Sequence, residues 1–262
     1  MDSVNKTLFI PLYGKALVSR EGILLNDPKA EEIWAAEGFP LKGKAKSRYL
    51  AFYMGMRSAV FDLWVLEQME KHPNAPVLHI GCGMDSRCLR VGKPARQWYD
   101  VDFPEVIEER KRYFTESETY HMVGSDARNS TWLAQIPEGE EAIVVMEGLC
   151  MYMPPHELQQ LLRGLKGRFP RIHVLLDCYS TFAARASRVR NPINDVGVSQ
   201  VWGIDDPEVL TAGTGLRFIG EHTMTPAHMI RELQGFERRI FQRLYAGNFA
   251  KKLYRLYEYE SE

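Results

Sequence analysis

Gly81-Cys82-Gly83-Met84-Asp85-Ser86 follows the apolar run Val77-Leu78-His79-Ile80, and a second run, Trp98-Tyr99-Asp100-Val101-Asp102, closes on an acid. Glycines let the backbone approach a ligand closely. A carboxylate at the end of the next strand, roughly 20 residues on, can accept both hydroxyls of a ribose. A dinucleotide fingerprint wants a third glycine or alanine at the sixth place, so that a helix N-terminus reaches a pyrophosphate. Here that place is Ser86. The unit therefore suits a ribose-bearing cofactor without a pyrophosphate, such as S-adenosylmethionine, better than a nicotinamide dinucleotide. Taken alone, the turn reads equally as an ordinary strand-to-helix connection. Asp102 alone can also read as a cap for the helix opening at Pro104, and Asp100 is the alternative acid.

Three further positions carry the same kind of signal. Gly124-Ser125-Asp126-Ala127 follows an apolar run, and an acid there can accept from an adenine amino group while the next N–H meets a ring nitrogen. Glu147 follows Ile143-Val144-Val145-Met146, and a carboxylate ending a central strand faces the cleft where ligands collect, placed to receive an ammonium. Arg57 has Tyr53, Met54, Val60 and Phe61 as its helical neighbours. A guanidinium on an apolar face needs an anion to offset its desolvation. That anion is either Asp62 or another internal acid, or a ligand carboxylate held bidentately. Asp126 and Glu147 also have plain structural readings, as a turn residue and a satisfied internal acid. His79 reads as a core histidine. Tyr152, Tyr179 and Trp202 sit where a substrate pocket could form.

These residues must be positioned by something, and the chain supplies it. It has 262 residues, 45% of them hydrophobic and 26% charged, with net charge −1. That is ordinary globular usage, and it recruits neither nucleic acid nor an anionic membrane. The first residues lack the basic-then-apolar pattern of a secretory signal, and no stretch approaches a membrane span. The four cysteines form no Cys-x-x-Cys pair, which argues against disulfides and zinc. The expectation is a cytoplasmic protein that uses no metal and meets a small-molecule substrate.

Residues 1–75 read as a helical cap. Helical spacing runs over 12–19 and 28–37, with Pro28 in the first turn, and 49–69 is apolar almost all round, as for a buried helix. Residues 76–262 read as the core. Strands are expected at 76–83, 97–102, 120–124, 142–146 and 172–178, alternating with helical segments at 86–91, from Pro104, at 131–136 and at 154–169. Alternation implies a mostly parallel sheet with helices on both faces. The stretch 180–215 breaks the rhythm and, following a strand's carboxyl end, is read as a lid insertion over the cleft. A strand at 217–224, a mostly helical 227–252 and a final strand at 253–260 bring the sheet to seven strands.

With these residues in hand, the chain resembles the leucine carboxyl methyltransferase superfamily, in its bacterial polyketide O-methyltransferase branch. The resemblance rests on Leu12-Tyr13-Gly14-Lys15-Ala16, Asp27-Pro28-Lys29-Ala30, Arg57 with Phe61-Asp62, Gly81 to Arg87, Trp98 to Pro104, and Glu147 to Tyr152. It implies a Rossmann-like class I methyltransferase that uses S-adenosylmethionine and releases S-adenosylhomocysteine. It implies Arg57 and Lys15 near the methionine carboxylate and Gly81 under the cofactor. It places Asp102 on the ribose, Asp126 and Ala127 at the adenine, and Glu147 near the methionine portion. The chain departs from the family pattern at Ala127, where leucine is frequent, and at Ser86, where threonine is.

Methyl transfer from a sulfonium is an in-line displacement with a good leaving group, so alignment and exclusion of water dominate. No general base announces itself in the sequence, and no catalytic residue is assigned. That favours a carboxylate or an acidic hydroxyl as acceptor. The competing readings are carboxyl methylation of a protein C-terminus, a non-catalytic S-adenosylmethionine-binding protein, and a nicotinamide oxidoreductase.

Overall fold

The computed structural model describes residues 7–41, 43–92, 95–187, 201–246 and 252–261. The first helix, α1, spans Phe9–Arg20 and the second, α2, Pro28–Glu37. Asp27 starts α2 by accepting from the Ala30 N–H at 2.9 Å, with Pro28 in the first turn, and Gly38 ends it at φ +58°. The third, α3, covers Arg48–Lys71. Its 24 residues extend ~36 Å, and apolar side chains on every side bury it: Phe52, Met56, Phe61 and Val65 are all at most 2% exposed.

The sheet begins with β1 (Val77–Ile80), the short α4 (Arg87–Arg90), β2 (Trp98–Asp102), α5 (Pro104–Arg110) and β3 (Tyr120–Gly124). It continues with β4 (Glu141–Met146), α6 (Pro155–Arg168), β5 (Arg171–Tyr179) and α7 (Thr181–Ser187). The last elements are β6 (Leu216–His222), α8 (Ala227–Glu232), α9 (Gly235–Ile240) and β7 (Tyr254–Ser261). Strand order is β3-β2-β1-β4-β5-β7-β6. The first five run parallel, and β7 lies antiparallel between β5 and β6. The seven-stranded, mostly parallel sheet with helices on both faces is the one expected.

Side chains alternate faces along each strand. Val77, Ile143, Val145, Leu175 and Leu256 join one core, shared with α1, α2, α3, α8 and the turn at Phe241. Leu78, Ile80, Val144, Met146, Val174 and Leu176 join the other, beneath α6 and Trp132. The residues before the sheet therefore cover much of one face of it, together with α8 and the turn at Phe241. The chain leaves β1 toward β2 and β3 but reaches β4 and β5 on the opposite side. The strand order thus switches between β1 and β4, where ligands of open α/β sheets collect.

The mostly helical run expected at 227–252 is helical in three pieces over its described part: α8 and α9 break at Leu233-Gln234, with Gly235 at φ +53°, and a π turn follows at Phe241–Tyr245, while 247–251 lie outside the described residues. The short helix expected at 131–136 is a 3-10 helix, Ser130–Gln135. Of the expected lid, 188–200 lie outside the described residues. At its start α7 lines the cavity described below, but at its end Leu210 is fully buried in the core under α6. That end packs on the sheet because a buried leucine and the Tyr257 and Tyr259 hydroxyls, which donate to the Asp205 and Pro207 carbonyls, hold it there. No helix of the described residues is long and apolar enough to cross a membrane.

Candidate active site

A cavity of about 410 Å³ opens at the carboxyl ends of β1, β2, β4 and β5, between the sheet and the N-terminal helices. Its size lies in the range of roughly 300–1,000 Å³ common for small-molecule sites. One end is charged and built on glycine turns. Gly81 has φ +73°, a conformation that side chains resist, and a Cβ there would meet Leu149 Cβ at 3.1 Å. Asp102 ties this turn down: its Oδ2 accepts from the Gly83 N–H at 2.7 Å and its Oδ1 from the Phe103 N–H at 2.8 Å. It is thus a tether between β2 and the glycine turn, not a cap on α5. Burial pushes its carboxyl up, against those two N–H groups.

Arg57 reaches the cavity from α3, 3% exposed. Its Nε donates to Glu147 Oε1 at 3.0 Å, and its Nη1 donates to Asp177 Oδ2 and Tyr254 Oη, each at 3.0 Å. The alternative partner from the sequence, Asp62, is taken elsewhere. It accepts from Arg87 Nε and Arg90 Nε, both at 2.7 Å. Glu147 also accepts from Ser58 Oγ at 2.8 Å and pairs with Arg87. The next residue, Gly148, has φ +74°, and a Cβ there would lie 3.4 Å from Arg57 Nη2; its N–H donates to Asp177 Oδ1 at 2.6 Å. Lys15 pairs with Asp85 at 3.1 Å, and Asp85 with Arg90 at 2.8 Å.

Neighbouring charges give these acids different characters. Burial by itself would raise Glu147, but Arg57 and Arg87 beside it hold it down at about 2. Asp177 is pushed up to about 6 by burial, because its one cation among the described residues, Arg57, is shared with Glu147. Burial lifts the Cys82 and Cys150 thiols well above their usual range, which leaves them inert as nucleophiles.

The other end of the cavity is aromatic. Tyr53, Tyr152, Tyr179, Tyr245 and Tyr254 line it with Leu50, Met54 and Ala183. Tyr179 and Tyr254 meet edge to face with centroids 4.8 Å apart, and Tyr53 tilts against Tyr245 at 5.3 Å.

Of the residues singled out from sequence, Lys15, Arg57, Gly81, Asp102, Glu147, Tyr152 and Tyr179 line this one cavity. Asp126 and Ala127 lie outside its lining. They follow β3, next to the end of β2, and Arg128 holds Asp126 through its Nε at 2.9 Å. Trp202, expected where a substrate pocket could form, is also not among the residues that line this cavity. Its backbone N–H donates to the Met151 carbonyl at 2.8 Å, and Gly203 bridges Tyr179. His79 is core-like at 1% exposure but reaches the cavity floor. Asp85, Arg87, Asp177 and Tyr254 were not anticipated. Asp177 carried a usable signal: an acid interrupting the apolar run of β5 near its carboxyl end, as Glu147 does after β4.

A second cluster lies at the opposite ends of the strands, where His72, Glu141 and His173 bring ligand-type atoms within 4.8 Å. The two imidazoles stack face to face at 3.7 Å with 25° between planes. Imidazoles sharing an ion must aim their in-plane lone pairs at one point, which this stacking does not do.

Residues 2–166 match the profile of the leucine carboxyl methyltransferase family. The chain is 29% identical over 243 residues to the tetracenomycin polyketide synthesis O-methyltransferase TcmP of Streptomyces glaucescens, covering 92% of this chain and 90% of the relative. It is 25% identical over 242 residues to the S-adenosyl-L-methionine-dependent methyltransferase dpfgK of Gibberella zeae, covering 83% and 81%. Among solved structures, a DUF574 family protein from Streptomyces avermitilis superposes with TM-score 0.59 at 10% identity over 90% of both chains. Magnesium protoporphyrin IX methyltransferase from Synechocystis superposes with TM-score 0.50 at 12% identity, over 90% of this chain and all of that one. These two likenesses show the fold.

Proposed function

The chain belongs to the leucine carboxyl methyltransferase family and is an S-adenosylmethionine-dependent methyltransferase, and we propose that it methylates an oxygen, a carboxylate or an acidic hydroxyl, of a small molecule in a biosynthetic pathway. The observation that carries this reading is the set of opposite charges fixed at one end of the cavity. Arg57 and Lys15 offer cations, Glu147 offers a carboxylate held ionised, and Asp102 lies on the same cavity. A zwitterionic amino-acid end and a ribose need that donor set.

In this reading Arg57 holds the methionine carboxylate with Lys15 nearby, and Glu147 receives the ammonium. Gly81 lies under the cofactor, and Asp102 accepts from the ribose hydroxyls. Asp126 and the Ala127 N–H serve the adenine along the open edge past β3, where Arg128 must swing off Asp126. When bound, S-adenosylmethionine supplies an electrophilic methyl with a neutral thioether as leaving group. The chain aligns and excludes water. The ion pairs clamp one reactant, and the tyrosine-lined end holds the acceptor flat against ring faces and edges. Relatives named for O-methylation and for S-adenosylmethionine agree with this. Residues 1–75 then form a cap that completes the cofactor site rather than a separate functional unit, over a core of 76–262.

Calorimetry with S-adenosylhomocysteine tests the assignment. Arg57→Ala and Asp102→Ala are each expected to weaken binding at least about tenfold, or ~1.4 kcal/mol. Unchanged affinity in both variants overturns it.

A further inference from the structure

The ion pairs around the charged end form one continuous buried network. Lys15 joins Asp85; Arg87 joins Asp62, Asp85 and Glu147; Arg90 joins Asp27, Asp62 and Asp85; Arg57 joins Glu147 and Asp177. Five carboxylates thus meet four cations. The neighbouring pair Asp100–Arg110 is balanced, and His79 lies between it and Arg87. His79 Nε2 lies 3.2 Å from Arg87 Nη1, and its Nδ1 lies 3.2 Å from Asp100 Oδ1. Asp102 lines the cavity with only N–H partners. Among the described residues the charged end has more acid than base.

The surplus falls on Asp177. Glu147, Asp62 and Asp85 each touch two or more cations, and Asp27 has Arg90, Ser86 Oγ and the Ala30 N–H. Among the described residues Asp177 has one cation, Arg57, already committed to Glu147, and two neutral donors, the Gly148 N–H and the Tyr254 hydroxyl. The other groups around it supply no charge. These are Tyr254 from β7, Tyr53 from α3, Tyr152 and Cys150 after β4, and Cys178 on β5, and burial raises the proton affinity of every one.

We propose that Asp177 makes the site sense its ligand's charge, favouring the sulfonium form of the cofactor over the neutral thioether product. This rests on the functional reading above. The zwitterionic end is common to both ligands, and only the sulfonium distinguishes them. A surplus carboxylate in a dry network is offset by the cation before methyl transfer and left unmatched after it. The consequence is product release assisted by electrostatics. Asp177 is a positioning residue here: it lies outside the cavity lining and acts through Arg57, Gly148 and the field.

The test is calorimetry at pH 7.5 with S-adenosylmethionine, S-adenosylhomocysteine and sinefungin, whose amine replaces the sulfonium with another cation. Asp177→Asn is expected to lose about tenfold in affinity for the two cationic ligands and less than threefold for the thioether. A purely structural role would weaken all three alike; that result, or no change, overturns the proposal. The wild-type protein gives a second readout should the variant not fold. Its sulfonium-to-thioether affinity ratio is expected to fall as pH drops from 7.5 to 5, while Asp177 gains its proton and Glu147 stays ionised. A constant ratio overturns the proposal. Wild-type protein that binds none of the three overturns the functional reading itself, and this inference with it.

Discussion

The two ends of the cavity are built on opposite principles. At the charged end, Arg57, Glu147 and Asp177 come from three distant segments, and each is fixed by hydrogen bonds at 3.0 Å. At the other end, tyrosines meet ring against ring, with centroids 4.8–5.3 Å apart. Buried charges tolerate little displacement, because a carboxylate that loses its partner stays desolvated and unpaired. Aromatic contacts lose less and repack more readily.

The contrast breaks most visibly at Arg87, which lies wholly inside the charged end with Asp62, Asp85 and Glu147 as partners. Arg87→Met should destabilise the fold by about 3–5 kcal/mol, the usual result of stripping one partner from a buried ion cluster. Chemical denaturation reads this directly, and a loss under 1 kcal/mol would mean the network is not the frame it looks like. Next in size is an acid response. Glu147 sits near 2 when folded against a usual value of 4.5. Its contribution is full above about 4.5 and is lost as pH falls toward 2, a matter of a few kcal/mol. Glu147→Gln should flatten that part of the stability profile. Asp177 has the opposite sign: raised to about 6, it lowers stability as pH rises from its usual 3.8 through 6.

Smaller effects sharpen the division of labour. Tyr245→Leu should raise KM several-fold for whichever acid or phenol proves to be the acceptor, yet leave S-adenosylhomocysteine affinity within about twofold. If affinity for the two ligands falls together, the cavity has no separate ends. The smallest change is expected at Arg128, an exposed partner of Asp126. Arg128→Ala should shift stability by less than about 0.5 kcal/mol, and freeing Asp126 should leave S-adenosylhomocysteine binding unchanged or slightly tighter.

Much of this was legible in the residues themselves. Strand-helix alternation specified a parallel sheet, because only apolar runs of strand length separated by amphipathic segments can be buried on both faces. Asp102 and Glu147 stood out because an acid that closes an apolar run must lie at the end of a buried strand. Arg57 stood out because a guanidinium among Met54, Val60 and Phe61 cannot be left unpaired. Its partners were another matter. Asp62, close in sequence, was a natural candidate, yet the observed partners lie 90 and 120 positions away. The break at Gly235 and the burial of Leu210 under α6 were likewise invisible to local pattern.

The sequence by itself determined which residues must be buried, which carry charge into the interior, and the order of strands and helices, since these follow from periodicity and from the cost of desolvation. Only the tertiary structure decided which charges meet. Burial makes pairing obligatory without specifying the partner, and the partner is set by where the switch between β1 and β4 brings β4, β5 and α3 together. The surplus at Asp177 is of the same kind: each acid and each base can be read singly from the chain, but their imbalance exists only once they share one dry space.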